Sequence, residues 1–377
     1  MRIVHISDCY APRLGGIETQ VRALAMRQAE QGHEVHVLTA TPSPAVREGT
    51  EVLDGVLVHR ITARMPAEIP VHPRVMSELR TALSQDGVAA GADVVHVHGG
   101  VVSPFAYPGA KVSRGLGLPT VLTIHGVWGG VFRPVAKLAD SLTSWSSWGV
   151  ALTAVSDAAA DPIRHIVGPS VPVTLIPNGI DVHQWRVDPV AGAANECRLV
   201  AVMRLAPRKR AIPLVSMVQA AARRLPADQS VRLVVVGNGP LESRLRRAID
   251  ENITNCSVDL VGRLTPDAVR ATLASSDVFI APALLESFGI AALEARTAGL
   301  PVLAYGQTGI SSFVRDGVEG LLAYDDEGMI TNIVRLVQNR ELRNQIADHN
   351  RATEPNESWP HVLDLARAAY ERAAALA

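Results

Sequence analysis

The sequence predicts an α/β protein made of two doubly wound, Rossmann-like domains in tandem. Three observations carry that expectation. At 377 residues the chain is long for one hydrophobic core. Short apolar runs alternate with helically spaced ones along almost its whole length. The turn-rich segment Pro177-Asn-Gly-Ile-Asp181 separates two such series, and the aperiodic stretch from Val182 to Cys197 reads as a hinge. The expected boundaries are 1–182, 183–356 and a terminal segment 357–377.

In the first series, residues 3–7 read as a buried strand. Gly15 and Gly16 then open a helix over 17–31, where Val21, Leu24, Ala25 and Ala29 recur at helical spacing, and 32–39 form the second strand. This βαβ unit implies a parallel sheet whose ligands gather at the carboxyl ends of its strands. Further strands are expected at 56–61, 93–98, 120–125, 151–155 and 173–176, and Ser156 reads as a helix N-cap. A dinucleotide fingerprint would need G-x-G-x-x-G after the first strand and an acid closing the second. The chain offers only Gly15-Gly16, and its second strand ends Leu38-Thr39-Ala40, which excludes a dehydrogenase of that type. The paired glycines permit close approach of a ligand, or a tight turn without one.

His125 stands where a strand meets a glycine loop, in Thr-Ile-His-Gly126, and can exchange a hydrogen bond with a sugar hydroxyl. A structural role is the plainer alternative for a strand-end histidine. His96 and His98 alternate along one strand and face one side, a metal-ligand spacing for which the sequence shows no third member. Between Gly126 and Gly149, Trp128, Phe132, Trp145 and Trp148 mix with Arg133 and Lys137. Such a mixture suits a membrane interface or an amphiphilic acceptor, against the simpler reading of a helix packed on the sheet.

The second series has expected strands at 198–203, 231–236, 257–261, 277–281, 301–304 and 320–323. A long helix over 327–349 and an alanine-rich helix from Ser358 to Leu376 follow. Two α/β domains in tandem are expected to enclose a binding cleft. The most informative stretch of this half is Glu286-Ser-Phe-Gly-Ile-Ala-Ala-Leu-Glu294, astride a strand-to-helix junction. Glu286 falls in the turn, and Ser287, Phe288, Gly289 and Ile290 fall near the first helical turn, where unpaired amides and the helix dipole attract phosphate. Glu294 lies inside the helix, which Gly299-Leu-Pro stops. Carboxylates flanking a phosphate site suit the hydroxyls of a sugar nucleotide and disfavour a nucleic-acid backbone. Two solvated surface glutamates are the ordinary alternative.

Arg204 and Lys209 follow the first strand of this series and can neutralise a diphosphate leaving group. Lysine occurs only at positions 111, 137 and 209 in an arginine-dominated chain, which hints that a compact ammonium is wanted at 209. Gly237, in Gly-Asn-Gly-Pro240, and Arg263, in Val-Gly-Arg, close the second and third strands, where backbone can approach a ligand.

The formal net charge of −1 leaves no basic surplus for nucleic acid, so no such partner is expected. Cys9, Cys197 and Cys256 are too far apart and too few for a disulfide framework or a CxxC metal site, which points to a reducing compartment. The first residues run straight into a strand, and no run of 18 apolar residues suggests a membrane span. A cytoplasmic location is expected, with peripheral contact at the inner face of the membrane as its variant.

Taken together, Gly15-Gly16-Ile-Glu, Thr-Ile-His125-Gly, Val-Ser-Asp157, Ile-Pro-Asn-Gly-Ile-Asp181, Arg204 with Lys209, Val-Gly237-Asn-Gly-Pro and Glu286-Ser-Phe-Gly-Ile with Glu294 resemble glycosyltransferase family 4. This is the retaining group with the GT-B fold, and the likeness covers nearly the whole chain. The resemblance implies an acceptor-binding N-terminal domain, a nucleotide-sugar-binding C-terminal domain, a central cleft and a Trp359 helix that crosses back to the first domain. It implies Glu294 on the ribose, Glu286 and the backbone of Phe288 to Ile290 on the transferred sugar, Arg204 and Lys209 on the diphosphate, and His125 on the sugar from across the cleft. Gly16, Gly237, Arg263 and Ser287 complete the expected donor-binding set. No metal and no cofactor beyond the donor substrate is expected. The acceptor, near loops 12–16, 62–75 and 99–107, is expected to be a cell-envelope lipid or glycan precursor. A soluble inositol phosphate or aminocyclitol is the alternative, and a sugar-nucleotide epimerase or an inactive binding protein of the same fold the more distant ones. The chain departs from the family pattern at Met203 and Arg210, where glycine is usual.

Overall fold

The computed structural model describes residues 1–13, 15–62, 74–129, 134, 137, 140, 145–193, 195–249 and 253–377. The chain divides into two compact units, Met1–Gly179 with Trp359–Ala377, and Ile180–Ser358. Residues 63–73 of the expected acceptor loops, and Phe132 and Arg133, lie outside the described residues.

The first unit holds β1 (Arg2–Ser7), β2 (Glu34–Thr39), β3 (Gly49–Leu53), β4 (Val56–Arg60), β5 (Val94–Gly99), β6 (Thr120–Ile124), β7 (Ala151–Ala154) and β8 (Val173–Leu175). They form one sheet in the order β3-β4-β2-β1-β5-β6-β7-β8. All neighbours run parallel except β3 and β4. The parallel strands are buried on both faces, which is why they read as continuous apolar runs. Strand β3 has no counterpart among the expected strands. It joins β4 through Asp54 and Gly55, both at positive φ (53° and 78°), the two-residue turn whose twist suits a hairpin.

Two helices cover one face of this sheet, Gly16–Glu30 and the C-terminal Trp359–Leu376. Val362, Ala366, Ala369, Tyr370 and Ala373 recur at helical spacing and pack with Leu24, Val94, Val121 and Ala151. Small residues along the terminal helix let it lie close to the strands. The Gln20 amide brackets the backbone of Gly179, accepting from its N–H at 2.9 Å and donating to its carbonyl at 3.2 Å. Trp359 covers the same glycine, under the Arg27 guanidinium at 5.2 Å.

Trp128 and Trp145 are buried and meet edge to face at 5.8 Å. Those two tryptophans therefore pack inside the unit and do not present themselves to a membrane or an amphiphile. No helix among the described residues is long and apolar enough to cross a membrane.

The second unit holds β9 (Glu196–Val202), β10 (Ser230–Val236), β11 (Cys256–Gly262), β12 (Val278–Ala281), β13 (Val302–Tyr305) and β14 (Gly320–Ala323). The order is β11-β10-β9-β12-β13-β14, all parallel. The single helix expected over 327–349 is two helices, Asp326–Gln338 and Arg340–Ala352. Asn339 interrupts them at φ −107° and ψ 83°, and its side chain accepts from the Leu342 N–H at 2.9 Å to cap the second.

A Cβ at Gly179 would stand 2.5 Å from the Trp359 ring. Gly179→Ala is expected to lower stability by about 1–3 kcal/mol through overpacking. The check is the urea midpoint, and an unchanged midpoint would contradict this account of the Trp359 anchor.

Candidate functional site

In the second unit, β9 and β12 are neighbours from which the chain winds outward in opposite directions. Open parallel sheets leave a ligand crevice beyond the strand ends at such a switch point. Arg204 and Lys209 follow β9, and Glu286 follows β12. Lys209 Nζ donates to Glu286 Oε2 at 2.5 Å, and both side chains are partly buried. The two loops that flank the switch point are thus tied by opposite charges. Arg204 is exposed and makes no side-chain hydrogen bond or ion pair among the described residues.

Lys209 closes a single 3-10 turn, Pro207–Lys209, and the following Arg210 sits in the left-handed region at φ 58° and ψ 35°. Glycine adopts that conformation without steric cost, which explains why the family pattern has it there. Arginine is held in it by its own side chain, which donates to Asp326 Oδ2 at 2.7 Å and to the Tyr305 hydroxyl at 2.9 Å. Met203 is outside the left-handed region. Its carbonyl lies 1.9 Å from where a Cβ on Gly237 would stand, so glycine is required at 237. The close approach at Gly237 is that of the chain's own loop, bonded through Met203 N–H to Val236 O and Leu205 N–H to Asn238 O, each at 2.9 Å. Arg263 follows the edge strand β11 and is exposed.

After β12 the Glu286 carbonyl accepts the Gly309 N–H at 2.8 Å, which seats this loop on the one after β13. A Cβ on Gly309 would stand 2.1 Å from the Ser287 carbonyl oxygen. Phe288 is buried against Phe313, with ring centroids 5.2 Å apart, so its side chain belongs to the core. Gly289, at φ 93° and ψ 58°, turns the chain into the helix Ile290–Thr297 and supplies no side-chain cap. The Ala292 N–H donates to the Gly289 carbonyl at 2.9 Å, so the amides of Ile290 and Ala291 are the ones left to an anion. Gly299, at φ 90°, ends this helix with the paired bonds Leu300 N–H to Ala295 O and Gly299 N–H to Arg296 O.

Glu294 lies one turn into that helix, partly buried and without a hydrogen-bond or ion-pair partner among the described residues. Burial pushes its carboxyl up to about 8 from an ordinary 4.5. The folded protein therefore holds a proton there that the unfolded chain has lost. This contribution to stability is full below pH 4.5 and is withdrawn as pH rises through about 8.

In the first unit the switch point lies between β1 and β5. Gly16 is the exposed first residue of the helix that follows β1, and the N-cap residue, Gly15, has no side chain to cap it. His125 follows β6, and its N–H donates to the Gly99 carbonyl at 2.8 Å. Burial pushes its imidazole down to about 4. The third imidazole, which the sequence does not reveal, is His5, whose Cα pairs with that of His96 across β1 and β5. Potential ligand atoms of His5, His96 and His98 lie within 4.8 Å of one another, but each ring nitrogen is already hydrogen-bonded to a protein group.

Asp8, at the end of β1, is a further group that sequence reasoning misses, since no motif marks it. Its Oδ1 accepts from the Phe105 N–H at 2.8 Å, its buried Oδ2 has no partner among the described residues, and burial pushes the carboxyl up to about 6. A separate hollow of about 260 Å³, lined by Val187, Arg198, Asp277, Pro301 and Arg343, opens at the amino ends of the second sheet. That is the wrong end for a ligand of this fold.

Residues 14–184 match the family model described as Glycosyltransferase Family 4, and residues 191–353 match that of Glycosyl transferases group 1. A phosphatidylinositol N-acetylglucosaminyltransferase component of Arabidopsis thaliana is 26% identical over 381 residues, covering 99% of this chain and 82% of the relative. The GDP-mannose:cellobiosyl-diphosphopolyprenol alpha-mannosyltransferase of Xanthomonas oryzae pv. oryzae is 30% identical over 349 residues, covering 88% of this chain and 83% of the relative. Among solved structures, HepE of Anabaena in complex with UDP and glucose matches with a TM-score of 0.71 at 16% identity, over 98% of this chain and 99% of that one. That likeness concerns the fold, and the sequence matches concern descent: the chain belongs to glycosyltransferase family 4, has the GT-B fold and is a glycosyltransferase.

Proposed function

We propose that the enzyme moves a hexosyl unit from a nucleotide-diphosphate sugar to the hydroxyl of a cell-envelope lipid or glycan precursor, with retention at the anomeric carbon, on the cytoplasmic side of the membrane. The observation that carries this reading is the Lys209–Glu286 pair across the second switch point, with Arg204 exposed on the same loop. The activities for which two relatives are named favour a lipid-linked acceptor, one being directed at phosphatidylinositol and the other at a diphosphopolyprenol.

In this reading the diphosphate rests on the first-turn amides at Ile290 and on Arg204 and Lys209. Glu286, with Oε2 engaged by Lys209, offers Oε1 to a hydroxyl of the transferred sugar. A carboxylate so occupied is a binder of hydroxyls and is poorly placed to serve as a base. His125 is assigned to a sugar hydroxyl and Glu294 to the ribose. The acceptor oxygen bonds to the anomeric carbon on the face that the diphosphate leaves. As the bond from that carbon to the phosphate oxygen breaks, the acceptor's proton passes to the departing phosphate. The two cations and the helix end stabilise the charge that develops there.

Incubation with a panel of UDP-, GDP- and ADP-sugars, with and without a polyprenyl-diphosphate or phosphoinositide acceptor, tests the reading. Transfer with retained anomeric configuration is expected, and a panel showing neither transfer nor donor hydrolysis would contradict it. Arg204→Ala is expected to leave stability within about 0.5 kcal/mol, because the side chain makes no hydrogen bond or ion pair among the described residues. It should lower kcat by roughly 10²-fold, the scale of one lost leaving-group contact.

A ribose hydroxyl donates better to the charged Glu294, so binding is expected to release a proton. Affinity for the nucleoside diphosphate should then weaken as pH falls below about 8, by at most about tenfold per unit. Calorimetry in buffers of different ionisation enthalpy measures that release. Glu294→Gln should bind more weakly and lose the dependence, whereas a pH-independent wild-type affinity would contradict the assignment.

A further inference from the structure

The first unit contains a continuous chain of buried side-chain hydrogen bonds that ends on His125. His125 Nε2 meets His98 Nδ1 at 3.1 Å, and His98 Nε2 meets His5 Nδ1 at 2.9 Å. His5 Nε2 meets Gln28 Oε1 at 2.7 Å, and Gln28 Nε2 donates to the Tyr370 hydroxyl at 2.7 Å. The Tyr370 hydroxyl meets His96 Nδ1 at 3.0 Å, and His96 Nε2 meets Thr123 Oγ1 at 2.7 Å. Thr123 Oγ1 lies 2.5 Å from Thr153 Oγ1, which ends the run near the Leu122 carbonyl at 3.5 Å.

The amide of Gln28 gives this chain a direction. Its oxygen can only accept, so the Nε2 of His5 carries a proton and donates to it. Burial pushes His5 down to about 4 and His96 and His98 well below the ordinary 6.5, so each ring is neutral near pH 7 and carries one proton. The Nδ1 of His5 is then an acceptor, which places the proton of His98 on Nε2, and by the same step that of His125 on Nε2. On the other side of Gln28, the Tyr370 hydroxyl accepts from the amide and donates to His96 Nδ1. His96 Nε2 donates to Thr123, Thr123 to Thr153, and Thr153 faces a carbonyl. Each hydrogen bond in the run then has one donor and one acceptor, with no conflict of direction.

We propose that Gln28 and Tyr370 are positioning residues, which through His5 and His98 hold His125 as the Nε2-protonated tautomer, with the Nδ1 lone pair presented as a hydrogen-bond acceptor. Neither residue touches substrate in this account. Its bearing on catalysis rests on the assignment of His125 to a sugar hydroxyl, while the tautomer itself does not. Because Tyr370 stands on the C-terminal helix, that helix sets the protonation pattern of a strand-end histidine as well as covering the sheet. Ligation of a metal by His5, His96 and His98 is the competing use of the same rings. It would take lone pairs that the hydrogen bonds already occupy, so the observed bonding favours the relay.

The test is long-range proton–nitrogen NMR on the full chain labelled with ¹⁵N-histidine, with His125 assigned by its loss in His125→Gln. Wild-type His125 is expected to be protonated at Nε2. Gln28→Leu removes the acceptor of the His5 proton, and Tyr370→Phe frees the Gln28 amide to reverse. Both are expected to mix the His125 tautomers with the circular dichroism unchanged. Gln28→Glu keeps an acceptor toward His5 and is expected to retain the wild-type tautomer. Where the tautomers mix, kcat should fall in proportion to the Nε2-protonated fraction that remains, about twofold for an equal mixture, with a smaller change in KM. An Nδ1-protonated His125 in the wild type, no response in either disruptive variant, or metal-shifted His5, His96 and His98 resonances on addition of zinc would each overturn the proposal. Mixed tautomers with kcat unchanged would uphold the relay and overturn the assignment of His125 to the sugar.

Discussion

The ammonium of Lys209 against the carboxylate of Glu286 is the contact on which the proposed donor site depends, because it joins loops that leave adjacent strands in opposite winding directions. A partly buried pair of this kind contributes little by itself, but removing one partner strands the other charge. The loops are shaped for the pair by features that have no charge. Arg210 takes a left-handed turn held by Asp326 and Tyr305, and Gly237 and Gly309 leave room for neighbouring carbonyls. Gly289 then aims the uncapped end of a short helix at the space beside Glu286. Charge at this edge is thus positioned by backbone packing that tolerates no extra atoms.

The N-terminal unit solves a different problem with the same architecture. Polar side chains on the face shared by β1, β5, β6 and β7 are sealed under the C-terminal helix, where an unpaired donor would cost about 1–3 kcal/mol. Imidazole, amide, phenol and hydroxyl groups satisfy one another in series, and low effective polarity keeps the histidines neutral. A neutral imidazole is both donor and acceptor, and a series of them transmits orientation without transmitting charge. Such a network constrains the ring at its open end, which is His125.

Much of this is legible from residues alone, for identifiable reasons. Parallel strands buried on both faces, such as Val302 to Ala304, announce themselves as apolar runs. Strand β3 does not, since it is an exposed edge strand, and the signal that marks it is the Asp54-Gly55 turn. Asn339 inside an otherwise helical pattern is the sign of the break between the last two helices of the second unit. The glutamates, cations and glycines of the proposed donor site stand out by type and setting. That Lys209 pairs with Glu286, and that the glycine at 237 answers to Met203, depends on which strands lie side by side. Periodicity does not contain that order. The same gap hides His5, which joins His96 and His98 only through the register of β1 on β5. The tail helix is legible as a helix, and its role in the histidine series is not, because Tyr370 and Gln28 are ordinary residues until the sheet brings them together.

Hydrogen exchange of the whole protein in the presence of UDP, GDP or ADP tests the central claim most directly. With at least one of them, slowed exchange is expected at residues 203–210 and 286–294, the two loops joined by the ion pair and the helix start beside them. Protection confined to the N-terminal unit, or none at these two segments with any of the three nucleotides, would contradict it.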